Sequence, residues 1–238
     1  MSQYIFDISE FPALVKFSSY WKIIRDEAVQ LDKFVFPFDR TNEPYEETLK
    51  KIIATNRNGW MMSWGPAKDK WINYGLRYKD QLITDFVPDN SCPQIMCLVK
   101  RLRGIKIVGL SLLKPGAYML PHIHPELEEE EGLLIYHLGL SVPSSWHWLN
   151  VEGTFIQHGN GESFVFDGSK PHFALNFSKV NRLILYLEFN PDFLEFDESG
   201  LSSELELVNQ LYMKRKWKKE WGLMLNKIQP EKTTKVYR

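Results

Sequence analysis

Between Gly104 and Pro191 the chain reads GIKIVGLSLLKPG (Gly104–Gly116), GLLIYHLGLSVP (Gly132–Pro143), SWHWLNVEG (Ser145–Gly153), TFIQHGNGESFVF (Thr154–Phe166), HFALNF (His172–Phe177) and RLILYLEFNP (Arg182–Pro191). These are short apolar or β-branched runs. Gly, Pro, Asn or Ser punctuates them at intervals of roughly 8 to 15 residues, which predicts an antiparallel sandwich or barrel. GNGE at Gly159 to Glu162 carries a hairpin signal. There is no internal repeat.

On either side of this block the pattern turns helical. In FSSYWKIIRDEAVQL the apolar residues Trp21, Ile24, Ala28 and Leu31 recur at helical spacing, with Ser18 or Ser19 as the expected cap. A second short helix is expected over Tyr45 to Ile53, burying Leu49, Ile52 and Ile53. The aromatic stretch NGWMMSWGPAKDKWINYGL places Trp60, Trp64 and Trp71 at spacings that fit neither period, and predicts a packed loop or a strand pair. After the β block, Ser203 and Glu206 form a capping-box pattern with Leu205, Val208, Leu211 and Tyr212 down one face. The basic run KRKWKKEW, Lys214 to Trp221, then reads as a solvated helix end with its tryptophans packed.

The 238 residues suffice for one domain with a sizeable core, and 44% hydrophobic and 25% charged residues are ordinary for a globular protein. A formal net charge of -1 gives no reason to expect nucleic acid or an anionic membrane as partner. Eight Trp, ten Tyr and fifteen Phe suit a β-rich core or a stacking pocket. Cys92 and Cys97 are too few for a disulfide scaffold and lack CxxC spacing, so two reduced thiols are expected. MSQYIFDISEF has neither the basic nor the apolar region of a signal peptide, and no window approaches 18 apolar residues. A cytoplasmic location follows by default.

Five polar features interrupt the β block. His122 and His124 in PHIHP lie two apart, so on a strand both imidazoles face one way and can reach one ion. His172 follows 50 residues later at the mouth of another expected strand. Neutral imidazole suits iron, zinc or copper, and histidines from distant strands with open positions left over are how a non-haem Fe(II) site is built. Arg182 comes ten residues after His172, a separation that can return it to the interior. A buried arginine needs an anion, and its planar fork matches a carboxylate in two-point contact. Ser111 and His137 are the remaining polar residues, each set in an otherwise apolar run.

With these residues in view, the chain resembles the aspartyl/asparaginyl β-hydroxylase family of Fe(II)/2-oxoglutarate dioxygenases. SLLKPGAYMLPH is similar to the family's serine-to-metal strand, HLGLSVP to its HLGL-hydrophobic-P element, FVFDGSKPH to its FDDS-x-x-H segment and RLILYLEFNP to its R-hydrophobic strand. The match runs from about Ser111 to Pro191. The resemblance implies a mainly β fold, a double-stranded β-helix (jelly-roll, cupin-like) barrel with N-terminal helices and a C-terminal helical extension. It implies a single catalytic domain over 1–238, with a helical and irregular lead-in over 1–100, a barrel core over 101–192 and the extension over 193–238. By resemblance His122 and His172 are iron ligands, Arg182 and Ser111 hold the distal carboxylate of 2-oxoglutarate, and His137 contacts its metal-proximal end. The implied reaction is hydroxylation of an aspartyl- or asparaginyl-type side chain in a peptide or protein.

Two positions depart from that pattern. Where the family has glycine two residues after the first histidine, this chain has His124, which either serves as a third ligand or points away and lines the pocket. Where an arginine is expected two residues before His137, this chain has Ile135, and Lys114 or Arg103 are the candidate substitutes. ELEEEE, Glu126 to Glu131, reads as a solvated loop near the pocket rim, able to steer a basic substrate segment. Asp167 reads as a turn residue or one that orients His172, and His147 and His158 fall in expected loops with no role assigned. Three further readings stay open: a non-enzymatic or altered-metal barrel, a three-histidine oxygenase without co-substrate, and a hydroxylase of a small metabolite or an acyl chain.

Overall fold

The computed structural model describes residues 4–39, 45–63, 68–124, 127 and 132–228. Its first strands are β1 (Ile5–Phe6), β2 (Val35–Asp39), β3 (Trp60–Met62), β4 (Trp71–Tyr78) and β5 (Gln81–Leu82). The punctuated block supplies β6 (Leu102–Arg103), β7 (Ile105–Leu113), β8 (Ala117–Tyr118), β9 (Leu134–Ser141) and β10 (His147–Val151). It continues with β11 (Thr154–Ile156), β12 (Ser163–Phe166), β13 (His172–Asn176), β14 (Arg182–Phe189) and β15 (Glu195–Phe196). A nine-stranded sheet runs in the order β1-β12-β9-β14-β7-β4-β3-β2, with β5 on β4. It faces a four-stranded sheet in the order β11-β10-β13-β8. From β7 to β14 the chain passes back and forth between the two sheets, with β10 and β11 together in the small one and β6 and β15 paired apart from both, which is the jelly-roll, or double-stranded β-helix, arrangement.

The strands chosen by alternation pair as their patterns require. In β14, RLILYLEF, the central position between β7 and β9 buries nearly every residue on both faces. Trp71, Leu113, Ile135, Leu149, Phe166 and Ala174, drawn from both sheets, form one apolar cluster between them. At about 25 cal/mol per Å² of apolar surface removed from water, such side chains contribute roughly 1.5–3 kcal/mol each.

Helices Pro12–Ser18, Trp21–Ala28 and Pro93–Lys100 carry the apolar faces Leu14/Phe17, Ile24/Ala28 and Ile95/Leu98/Val99 into the core. Ser18 bonds the fully buried Tyr136 hydroxyl of β9 at 2.7 Å, tying the first helix to the sheet. Buried Glu27 accepts the backbone N–H of Gln94 and Ile95 at 3.0 and 2.8 Å and caps the third helix from outside its own segment. Ser18 and Ser19 therefore close the first helix, bonding Leu14 O and Lys16 O, and do not cap the second, whose cap residue is Tyr20. In helix Tyr45–Thr55 Thr48 and Ile52 are buried, Leu49 is half-buried and Ile53 is exposed, so the buried stripe lies one residue back from the expected one.

Three other expectations change. The lead-in supplies β1–β5, all five of them strands of the large sheet, so the barrel draws on far more than 101–192; of the aromatic stretch, β3 and β4 form a strand pair, and Trp64 lies outside the described residues. GNGE does not join a paired hairpin. β11 belongs to the small sheet and β12 to the large one, and the turn carries the chain between them. It can pass there because Gly139 lacks a side chain: a Cβ at Gly139 would lie 2.0 Å from Gly159 O. The chain divides into two compact units, Met1–Glu198 and Ser199–Arg238. The second contains helix Leu201–Ile228, which starts two residues before Ser203, so Ser203 is helical and not a cap; Trp217 is exposed. Cys92 and Cys97 are both buried. Glu126 and Glu128–Glu131 lie outside the described residues.

Candidate metal centre and its cavity

The segment bearing the HxH pair forms no strand of its own but is held against β13 at the level of its histidines. His122 and His172 form an isolated antiparallel bridge with N–H···O distances of 3.0 and 2.9 Å, and His124 N donates to Gly168 O at 3.0 Å. Residues opposite one another in an antiparallel pair share a face, so His122 and His172 point the same way. Ligand-capable nitrogens of His122, His124 and His172 all lie within 4.8 Å of one another. The His124 ring lies beside the other two, with centroids 5.2 and 5.3 Å away.

Two of these rings are fixed in tautomer by the backbone. His122 Nδ1 lies 2.8 Å from Leu120 O and His172 Nδ1 2.8 Å from Lys170 O. A carbonyl only accepts, so each Nδ1 carries the proton and each Nε2 keeps its lone pair, the arrangement that orients imidazoles toward a metal. His172 is held neutral, its pKa pushed down to about 3 by burial and by the neighbouring His122. Neutral, oriented imidazoles are the donor set a first-row divalent cation takes, so the residues present fit such an ion. Asp167 does not orient His172. It accepts from Ser169 N and Oγ at 2.9 and 2.6 Å and shapes the turn before β13.

The cluster opens on a cavity of about 760 Å³ between the sheets, lined by Ser111, His122, His124, His137, His172 and Arg182 among others. Ser111 on β7 lies opposite Ile184 on β14, two residues from Arg182 on the same face, and its Oγ accepts from Trp71 Nε1 at 3.1 Å. His137 on β9 is opposite Tyr186. The Phe166 ring stands between His137 and His172, with centroids 5.1 and 5.4 Å away. Arg182 is 1% exposed. Its Nε has no hydrogen-bond partner, and no ion pair to it forms among the described residues. Burial lowers its pKa to about 9.

A family model for aspartyl/asparaginyl beta-hydroxylase matches residues 18–191, most of the chain. The chain belongs to the aspartyl/asparaginyl beta-hydroxylase family. It is 27% identical over 226 residues to an uncharacterized protein of Acanthamoeba polyphaga mimivirus, covering 87% of this chain and 79% of that one. It is 28% identical over 101 residues to the ornithine lipid ester-linked acyl 2-hydroxylase of Rhizobium tropici, covering 42% of this chain and 34% of that protein. Among solved structures, the cupin domain of an XRE family transcriptional regulator from Enterobacter cloacae overlaps 50% of this chain and 96% of its own, at 17% identity and TM-score 0.31. KdgF from Halomonas sp. overlaps 53% and 84%, at 13% identity and TM-score 0.34. Those overlaps are partial, and the fold stands on the strand order itself.

As a member of the aspartyl/asparaginyl beta-hydroxylase family the chain departs at Ile135 as well as at His124. Ile135 is fully buried, opposite Glu188 of β14 and packed on Gly168 in the apolar cluster. Neither substitute proposed for the missing arginine reaches the cavity: Lys114 Nζ donates to Asp69 O, and the exposed Arg103 pairs with Glu195 at 3.8 Å. The group found beside Arg182 is His158, which the sequence reading left without a role. Its ring nitrogens lie 3.3 Å from Arg182 Nη2 and its Nε2 3.2 Å from His137 Nδ1. The one sequence signal for it is a histidine directly before a GNG turn, at the point where the chain changes sheets.

His137 and His158 are both held far below the usual imidazole range, by burial first and then by the Arg182 charge. In an unfolded chain both titrate near 6.5. Below that pH the unfolded state takes up protons that the folded state refuses, so stability is complete above about pH 6.5 and falls as pH drops. Two such groups give a slope approaching about 2.7 kcal/mol per pH unit. Urea midpoints of metal-free protein are expected to decline from pH 6.5 to 5; a midpoint unchanged over that range contradicts the assignment.

Proposed function

We propose that this chain is an Fe(II)- and 2-oxoglutarate-dependent dioxygenase that hydroxylates an aspartyl- or asparaginyl-type side chain of a peptide or protein. The observation that carries the proposal is Arg182: a guanidinium enclosed in the cavity with the three histidines and without an acidic partner among the described residues. Leaving a buried charge unpaired costs several kcal/mol, and a ligand carboxylate in two-point contact offsets that cost. His122, His124 and His172 would hold the metal. Fe(II) with 2-oxoglutarate supplies the O2-dependent chemistry that inserts oxygen into a C–H bond, with succinate and CO2 as co-products.

The chain's own residues do the rest. Arg182 binds the distal carboxylate, and Ser111, its hydroxyl already accepting from Trp71, donates its proton to the same group. His137, kept neutral by its surroundings, faces the metal-proximal end. His158 bridges Arg182 and His137 and fixes both orientations.

A three-histidine oxygenase without co-substrate is the second reading, favoured by the place of His124 in the cluster. The acyl 2-hydroxylase activity named for the Rhizobium tropici relative keeps an acyl-chain substrate in view. Anaerobic titration of the Fe(II)-loaded protein with 2-oxoglutarate separates the first two. A visible metal-to-ligand charge-transfer band is expected in the wild type and absent in Arg182→Met. Iron binding with no band at saturating 2-oxoglutarate contradicts the dioxygenase proposal and leaves the co-substrate-free reading.

A further inference from the structure

The outward face of the small sheet is apolar almost from edge to edge. In β13, His172, Ala174 and Asn176 are buried on the inner face, so Phe173, Leu175 and Phe177 point out. Register extends the pattern sideways: Trp148 lies opposite Leu175, and Leu175 opposite Tyr118. Phe155 of β11 packs edge-on against Phe173 at 6.0 Å, and Trp146 against Trp148 at 6.2 Å. Trp146, Phe155 and Phe177 are 63%, 58% and 59% exposed. Asn150, the polar residue amid these side chains, is itself buried, with its Oδ1 accepting from Gly153 N at 3.1 Å. An antiparallel sheet with one free face normally turns polar residues outward.

We propose that this face pairs with the same face of a second copy of the chain, making the protein a homodimer. Aromatic side chains bury about 150–250 Å² each, so at their exposures the aromatics of the face with Leu175 offer roughly 500–600 Å² of exposed apolar surface. That is the upper end of the roughly 300–600 Å² of a monomer's largest patch and about two thirds of the roughly 800 Å² per partner of a stable interface. The charges at its ends complement one another. Exposed Lys179 stands in the turn after β13, and exposed Glu152 in the turn after β10 at the opposite end; neither has an ion pair among the described residues. A two-fold axis lying between the sheets and crossing the strands sets Lys179 of one copy over Glu152 of the other. A membrane fits less well, since an anionic bilayer selects a basic rim and this rim carries both signs.

Sedimentation equilibrium of the full chain across the micromolar range tests the pairing. The wild type is expected to be dimeric. The double variant Phe155→Glu/Phe177→Glu, with both changes at exposed positions, is expected to raise the dimer dissociation constant at least ~100-fold while far-UV circular dichroism and metal binding stay unchanged. A wild type monomeric throughout that range overturns the proposal, as does a dimer that the double variant retains. A monomer that co-sediments with phosphatidylserine-containing vesicles overturns it too, and assigns the face to lipid.

Discussion

Replacing Arg182 with methionine is expected to weaken 2-oxoglutarate binding by at least ~100-fold while making the ligand-free protein more stable. The first effect follows from the two-point contact: each charge-assisted hydrogen bond contributes about 1.5–3 kcal/mol, and 1.4 kcal/mol is a factor of ten. The second follows from the surroundings. Arg182 is enclosed, its Nε is unsatisfied, and its close polar neighbour is the neutral ring of His158. A charge held that way costs folding free energy until an anion arrives, and an apolar residue of similar length removes the cost, by about 1–4 kcal/mol. Binding sites commonly trade stability for function in this direction. Urea denaturation of both proteins without metal or co-substrate measures the stability change, and calorimetric titration of the iron-loaded forms measures the affinity. If methionine at this position destabilises the fold by more than about 1 kcal/mol, a structural partner already satisfies Arg182, and the site loses its carboxylate anchor.

The parts of the site legible in the sequence are those fixed by strand alternation. Ser111, His137 and Arg182 sit on runs whose period of two decides which face each residue takes, and β7, β9 and β14 bring those faces into one cavity. The bridge between His122 and His172 needed no more than two strands meeting antiparallel. What local pattern could not supply was sheet membership. GNGE looks like a hairpin because its residues suit a tight turn, yet the strands it joins belong to different sheets, a choice made by pairing with β10 and β9 far along the chain. That crossing buries His158 against Arg182, so the place of the histidine follows from the same long-range pairing that sets the turn. The lead-in strands were hidden likewise: tryptophans at irregular spacing reflect pairing along β3 and β4 more than a face pattern. The position of Ile135 was legible as a departure, but its neighbours Glu188 and Gly168 were not.

The largest effect on the metal centre is expected at His172. Its Nε2 is oriented by the Nδ1–H···O bond to Lys170, its ring is buried, and its backbone is bonded to His122 on both sides. His172→Ala therefore removes a donor from a site that cannot close over the gap. Where a four-ligand metal site contributes about 10–16 kcal/mol, one ligand carries about 3 kcal/mol, or roughly a hundredfold in affinity. His124→Gly removes the ring without enlarging the side chain and is the sharper comparison. Placed in the cluster with the other two rings, His124 is expected to behave as a ligand: the glycine variant should bind Fe(II) or Co(II) roughly a hundredfold more weakly than wild type. Competition with a fluorescent chelator gives both affinities, and the Co(II) absorption spectrum reports the donor set directly. If His124→Gly binds metal as tightly as wild type with an unchanged Co(II) spectrum, two histidines suffice, and His124 lines the pocket without touching the ion.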